Sequence, residues 1–235
     1  MKLESEAKRR AAVASTELVR SGQIVGLGSG STANYMIEEL GRRIREEKLK
    51  ITGVPTSNQT AELAAKCGIP LTTLDEHPRL DIAIDGADQV DPRLNLIKGM
   101  GGALTREKIV DGAAETLAII VDESKMTPQL GVNQVVPVEA VPFATAPVMS
   151  KLVRLGGKPS IRTAKDKRGY FVTDNGNNIV DVDFGAINDV KGLERKIKMI
   201  SGVVESGLFV GMAKIVFVGA ASGIRKIERR KREKS

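Results

Sequence analysis

Residues 81–108, DIAIDGADQVDPRLNLIKGMGGALTREK, carry the residue types of proton-transfer chemistry at close spacing. Asp85 and Asp88 follow an apolar stretch and enclose two small residues, Gly86 and Ala87. A turn at Asp91-Pro92 leads to Lys98, then to Gly99, Met100, Gly101 and Gly102, then to Glu107 inside what reads as a new helix. Packing does not account for this. A buried polar group costs free energy unless it is matched, so carboxylates at a strand exit usually have a task. Glycines let backbone amides approach a ligand closely. Carboxylates, a lysine and bare amides in one segment suit acid–base work on an anionic substrate.

A second segment invites an anion. Residues 23–27 read as an apolar strand, and Gly28, Ser29, Gly30, Ser31 and Thr32 turn it into a helix. Free amides of a first helical turn, the helix dipole and added hydroxyls favour a phosphate there. The residues Gly28 to Ala33 also fit G-x-G-x-x-A formally, a dinucleotide fingerprint. Hydroxylated residues between the glycines suit a terminal phosphate monoester better than a pyrophosphate. A tight turn capped by Thr32 is the plainer alternative. No Gly-Lys-Ser/Thr follows, which excludes a P-loop.

These segments need a scaffold, and the pattern supplies one. Apolar runs at 51–54, 71–74, 80–84 and 117–121 alternate with helical periodicity at 4–20, 32–47, 58–67 and 102–115. The stripe Ala33, Met36/Ile37, Leu40, Ile44 is an example. Strands alternating with helices predict an α/β, doubly wound, mostly parallel Rossmann-like sheet. The order then becomes β-α-β-β-α-β over 131–206, with strands at 158–164 and 169–182 broken by a turn at 173–177, and a strand at 202–210. That order predicts a smaller ferredoxin-like α+β domain. The expected boundaries are 1–130 and 207–235 for the first domain and 131–206 for the second. A last strand at 214–218 rejoins the first sheet.

Composition narrows the classes. The chain has 235 residues, 41% hydrophobic, with no Trp, so its core is aliphatic. One cysteine, Cys67, and one histidine, His77, exclude a disulfide framework and a Cys/His zinc site within one chain. The N-terminal segment lacks the apolar region of a signal peptide, and no apolar run spans a membrane, so a cytoplasmic protein is expected. Residues 225–234 hold seven basic and two acidic residues and supply +5 of the +7 net charge. The rest is nearly balanced, which argues against a nucleic-acid surface. The basic segment reads as a solvated helix end.

Six motifs, in order, resemble ribose-5-phosphate isomerase, type A: IVGLGSGST (24–32), DGAD (85–88), KGMGGALTREK (98–108), DESK (122–125), TDNGN (173–177) and VVESGLF (203–209). The resemblance implies metal-free interconversion of ribose 5-phosphate and ribulose 5-phosphate, no cofactor, and a homo-oligomer, dimer or tetramer. It also implies roles. Glu107 is the base, Asp85 and Asp88 handle hydroxyl protons, and Lys98 with the loop Gly99, Met100 and Gly101 stabilises an enediolate. Ser29, Gly30, Ser31 and Thr32 hold the phosphate. Gly86, Ala87 and Lys125 belong to the substrate site, and Lys8 reaches toward the phosphate. The sequence departs from the family pattern at Gln89, at Met100 within the glycine run and at Ser206. Two other readings stand beside this one: a sugar-phosphate-binding regulatory module without catalysis, and a nicotinamide-linked enzyme. On residue types alone, Glu107 also reads as a solvated helix residue between Arg106 and Lys108, and 173–177 as a hairpin turn.

Overall fold

The computed structural model describes residues 2–164, 166 and 168–229. Its elements run α1 (Lys2–Thr16), β1 (Ile24–Leu27), α2 (Ser31–Glu47), β2 (Thr52–Pro55), α3 (Asn58–Lys66), β3 (Leu80–Gly86), β4 (Gln89–Val90), β5 (Leu96–Ile97), α4 (Leu104–Ala113), β6 (Ala114–Asp122), β7 (Val136–Ala140), α5 (Thr145–Arg154), β8 (Lys158–Ile161), β9 (Asn178–Asp183), α6 (Val190–Lys198), β10 (Val203–Ser206), β11 (Leu208–Phe209), β12 (Ile215–Ala220) and β13 (Gly223–Glu228). Short 3-10 turns lie at Glu123–Lys125 and Pro142–Ala144.

The chain divides into two units, one of Met1–Gly86, Ile109–Lys125 and Gly211–Ser235, the other of Ala87–Lys108 and Met126–Val210. The first holds a six-stranded sheet in the order β13-β12-β6-β3-β1-β2. All neighbours are parallel except the β12–β13 hairpin. Parallel strands covered on both faces read as continuous apolar runs, as β6 does, where residues 117–122 are all buried. The amphipathic α2 lays Ala33, Met36, Ile37 and Leu40 into the core beside Val25, Leu27, Ile82 and Ile84. Its C-terminus closes through Lys48, in the left-handed region at φ 59.

The second unit holds a four-stranded antiparallel sheet in the order β10-β7-β9-β8, built from the β-α-β-β-α-β succession β7-α5-β8-β9-α6-β10. Val136, Val138, Val180 and Val182 face Val148, Leu152 and Ile197 in its core. A short three-stranded sheet, β11-β5-β4, accompanies it. The fold class is thus the predicted one.

The boundaries differ from the expected 131–206. Residues 87–108, 126–130 and 207–210 fall in the second unit, where β4 and β5 pair with β11 rather than with the six-stranded sheet. Residues 71–74 are not a strand. They make a single bridge, Leu71 to Gly53, before the turn in which the His77 amide donates to the Thr73 carbonyl. Helix α1 stops at Thr16, where Ser15 and Thr16 turn their hydroxyls onto the carbonyls of Ala12 and Val13. The basic segment read as a helix end is, over residues 225–228, the strand β13 paired with β12. Its remainder, 230–234, lies outside the described residues. The strand expected over 202–210 is split at Gly207 into β10 and β11, which belong to different sheets. Among the described residues, no helix is long and apolar enough to cross a membrane.

Candidate active site

In the first unit the loop after β1 lies beside the end of β3. The Asp85 carboxylate is fully buried, and its Oδ1 accepts the amides of Ser29 at 3.0 Å and Gly86 at 2.7 Å. Gly28 makes this approach possible. A Cβ there would sit 2.5 Å from the Asp85 Cα and collide with its carboxylate. We therefore expect Gly28→Ala to cost about 1 to 3 kcal/mol, a fall in Tm of about 2 to 4 °C per kcal/mol, with activity lost as Asp85 is displaced. Thermal unfolding monitored beside turnover checks both.

Ser29 sits among hydroxyls. Its Oγ lies 2.8 Å from Thr56 Oγ1, 2.8 Å from Ser57 Oγ and 3.0 Å from Thr60 Oγ1. Thr60 donates in turn to the Gly28 carbonyl, and Thr56 to the Leu27 carbonyl. Gly30, at φ 104, is the N-cap of α2 and offers no side-chain acceptor, so the cap itself takes up none of the first-turn amides. The sequence analysis places Ser29 and Thr32 here but gives Thr56, Ser57 and Thr60 no part in the site, the last within the helical stretch 58–67. Ser57 is the cap of α3, accepting the Thr60 amide at 3.1 Å. The missed signal was topological. Adjacent parallel strands end side by side, here with Leu27 opposite Pro55, so a hydroxyl-rich loop after β2 lies next to the loop after β1. Lys125 ends the 3-10 turn after β6, in the same unit. Lys8 is engaged along its own helix, 2.6 Å from Glu4.

In the second unit stands the lysine–glutamate pair. Lys98 is 2% and Glu107 5% exposed, with Nζ 3.3 Å from Oε1. The Lys98 ammonium also lies 5.4 Å from the centre of the Phe209 ring. The Lys98 amide donates to the Gly207 carbonyl at 2.9 Å. Glu107 occupies the first turn of α4, which a glycine loop precedes. That loop turns at Gly99 (φ 104) and Gly102 (φ 85), where side chains are disfavoured, and Gly102 abuts the Phe171 ring. Arg162, held by Asp181, donates to the carbonyls of Gly99 at 2.9 Å and Met100 at 3.0 Å. The Met100 amide donates to Asp88 Oδ2 at 3.0 Å. Met100 is half-exposed and needs no left-handed backbone, so the departure from an all-glycine run leaves the loop intact. Gly101 has open space around it.

The burial of Glu107 excludes its reading as a solvated helix residue, and its two neighbours are engaged elsewhere. Arg106 reaches the Asn175 side chain and the Asp174 carbonyl, at 2.8 and 2.9 Å. Lys108 is half-buried against Glu205 at 3.1 Å, Glu194 at 3.5 Å and the Leu208 carbonyl. Burial pulls the Lys108 ammonium below its usual range, and the two glutamates offset this only in part. Burial pushes the Glu205 carboxyl up, but Lys108 and Lys198 outweigh it and hold Glu205 low.

Of the predicted residues, Ser29, Gly30, Ser31, Thr32, Asp85, Gly86 and Lys125 thus fall in the first unit. Ala87, Asp88, Lys98, Gly99, Met100, Gly101 and Glu107 fall in the second. Among the described residues, no group of three or more His, Cys, Asp or Glu is placed to hold a metal ion.

A family model described as Ribose 5-phosphate isomerase A (phosphoriboisomerase A) matches residues 52–223. The chain belongs to this family. The ribose-5-phosphate isomerase A of Methanosarcina acetivorans is 51% identical over 224 residues, 95% of this chain and 94% of the relative. That of Methanothermobacter thermautotrophicus is 50% identical over 218 residues, 93% of this chain and 96% of the relative. The solved ribose 5-phosphate isomerase A of Methanocaldococcus jannaschii matches with a TM-score of 0.92 at 46% identity, covering 95% of this chain and 98% of its own. A D-ribose-5-phosphate isomerase solved in complex with phospho-erythronic acid matches at 0.94 and 41% identity, covering 97% and 100%. The ribose-5-phosphate isomerase A relatives thus span both units, including the glycine loop and the head of α4.

Proposed function

We propose that this chain interconverts D-ribose 5-phosphate and D-ribulose 5-phosphate through an enediolate, in the non-oxidative pentose phosphate pathway. The observation that carries the reading is the buried Lys98–Glu107 pair, at the head of a helix that a glycine loop introduces, in a chain of this family. Glu107 removes the C2 proton of the open-chain aldose and returns it to C1. Lys98, with the amides of Gly99, Met100 and Gly101, stabilises the charge that develops on oxygen meanwhile. Asp85 and Asp88 carry the hydroxyl proton from O2 to O1 and assist ring opening, with Gly86 and Ala87 between them. Ser29, Gly30, Ser31 and Thr32 hold the phosphate, aided by the hydroxyls of Thr56, Ser57 and Thr60 and by Lys125. A grip on the unreactive phosphate is binding energy that can be used to orient the reacting carbons. The solved relative in complex with phospho-erythronic acid supports a sugar-phosphate-like ligand for this family.

The deciding experiment is a coupled assay on ribose 5-phosphate with EDTA present. Conversion to ribulose 5-phosphate, unaffected by the chelator, is expected. Binding of the sugar phosphate with no conversion over hours would instead make the chain a sensor. The same reading carries a cytoplasmic homo-oligomer. Phe143 and Met199, exposed apolar side chains of the second unit, are available to such contacts.

A further inference from the structure

We infer that Glu139 is a positioning residue for Glu107, acting through Thr105 and the turn at residues 173–177; this rests on the reading of Glu107 as the base. Glu139 lies in the middle of the antiparallel sheet, on β7, and is fully buried. A carboxylate buried this way costs several kcal/mol unless its acceptor sites are filled. Here four neutral donors fill them. Thr105 Oγ1 donates to Oε2 at 2.6 Å, and Thr173 Oγ1, Asn175 Nδ2 and Asn177 Nδ2 donate to Oε1 at 3.0, 3.1 and 2.8 Å. The turn is fixed from within as well. The Asn175 and Asn177 amides donate to Thr173 Oγ1, and the Gly176 amide to the Thr173 carbonyl.

The direction of this assembly is what matters. Thr105 and Arg106 are the two residues immediately before Glu107, and both are held by the same turn. Thr105 is held through Glu139, and Arg106 directly, by Asn175 Oδ1 and the Asp174 carbonyl. Successive helical side chains point about 100° apart. Fixing two of them fixes the rotation of the first turn about its axis, and so the direction in which Glu107 points. A glycine loop precedes this turn and cannot supply that rigidity itself. Asn175 is the joint of the device. Its amide nitrogen serves Glu139 and its oxygen serves Arg106, while the residue itself is exposed.

Asn175→Ala therefore loosens both grips from the surface, removing one of the four donors to Glu139 and one of the acceptors of Arg106, and Thr105→Val removes the hydroxyl while keeping the shape. A base displaced by about 1 Å loses up to 10²-fold in rate. Each variant is expected to lower kcat by about 10- to 100-fold with KM within about threefold and an unchanged circular dichroism spectrum. The deuterium isotope effect with C2-deuterated ribose 5-phosphate should grow as proton transfer becomes limiting, and Thr105→Ser should restore kcat. Wild-type kcat in both variants, a loss carried by KM alone, or a loss that follows unfolding and resists the serine rescue would each overturn the proposal. Glu107→Gln, measured beside them, separates the two claims. An inactive Glu107→Gln with unaffected Asn175→Ala and Thr105→Val removes the positioning role alone. An active Glu107→Gln removes the assignment of the base.

Discussion

Glu107→Gln should abolish nearly all turnover while leaving the chain folded and the substrate bound. The amide keeps the shape of the side chain and still accepts from Lys98 Nζ, which lies 3.3 Å from Oε1. It cannot take a proton from carbon. A positioned general base contributes about 10²- to 10⁴-fold, so kcat should fall by that factor and KM should change little. Steady-state kinetics on both sugars would check this, since one carboxylate serves both directions and both rates must fall together. Exchange of the transferred hydrogen with solvent tritium should fall in parallel. A folded variant with near-normal turnover would move the base elsewhere.

Lys98→Met should separate chemistry from stability. Methionine matches the length of the buried lysine stem without its charge. Losing one donor to a developing oxyanion costs about 2.7 to 4 kcal/mol, a fall of about 10²- to 10³-fold in kcat. A second loss comes with it. Both members of the pair are more than nine-tenths buried, and removing one leaves the Glu107 charge without its ammonium. Breaking a buried ion pair in this way costs about 3 to 5 kcal/mol of stability. The double variant Lys98→Met with Glu107→Gln removes both charges, so it should regain much of the lost stability and none of the activity. Denaturant unfolding of the two single variants and the double, with kcat measured on each, gives the coupling energy directly. Additive losses of stability would mean that the two side chains do not compensate one another in the folded chain.

The chemistry-bearing positions were legible because they sit where backbone geometry leaves a mark on sequence. Gly28 is needed for the approach of Asp85, and Gly99 and Gly102 take positive φ, so the loops announce themselves as glycine runs. The alternation of strands and helices was equally plain, since buried parallel strands are apolar throughout. What stayed hidden arises from adjacency in space. Thr56, Ser57 and Thr60 join Ser29 only because β1 and β2 are neighbours in the sheet. The turn at 173–177 does join an antiparallel bridge, Val172 to Asn178, with Gly176 alone of its Asn-Gly pair at positive φ, 79. Nothing in its local sequence shows that Thr173, Asn175 and Asn177 close around a glutamate more than thirty residues earlier. Residues 225–228 read as a solvated helix end because of their run of charge, which says nothing of pairing. Hairpin pairing with β12 decided their form.

Gly207 constrains sequence change at a distance from the chemistry. It lies between two strands that serve different sheets, its carbonyl takes the Lys98 amide, and a methyl group there would strike the Lys98 carbonyl and the Pro137 ring. Position 207 is therefore chemically silent yet bound to the fate of position 98. An engineer who transplants the lysine and its glutamate into another scaffold must carry this glycine as well, or the ammonium will arrive on a backbone set at the wrong height.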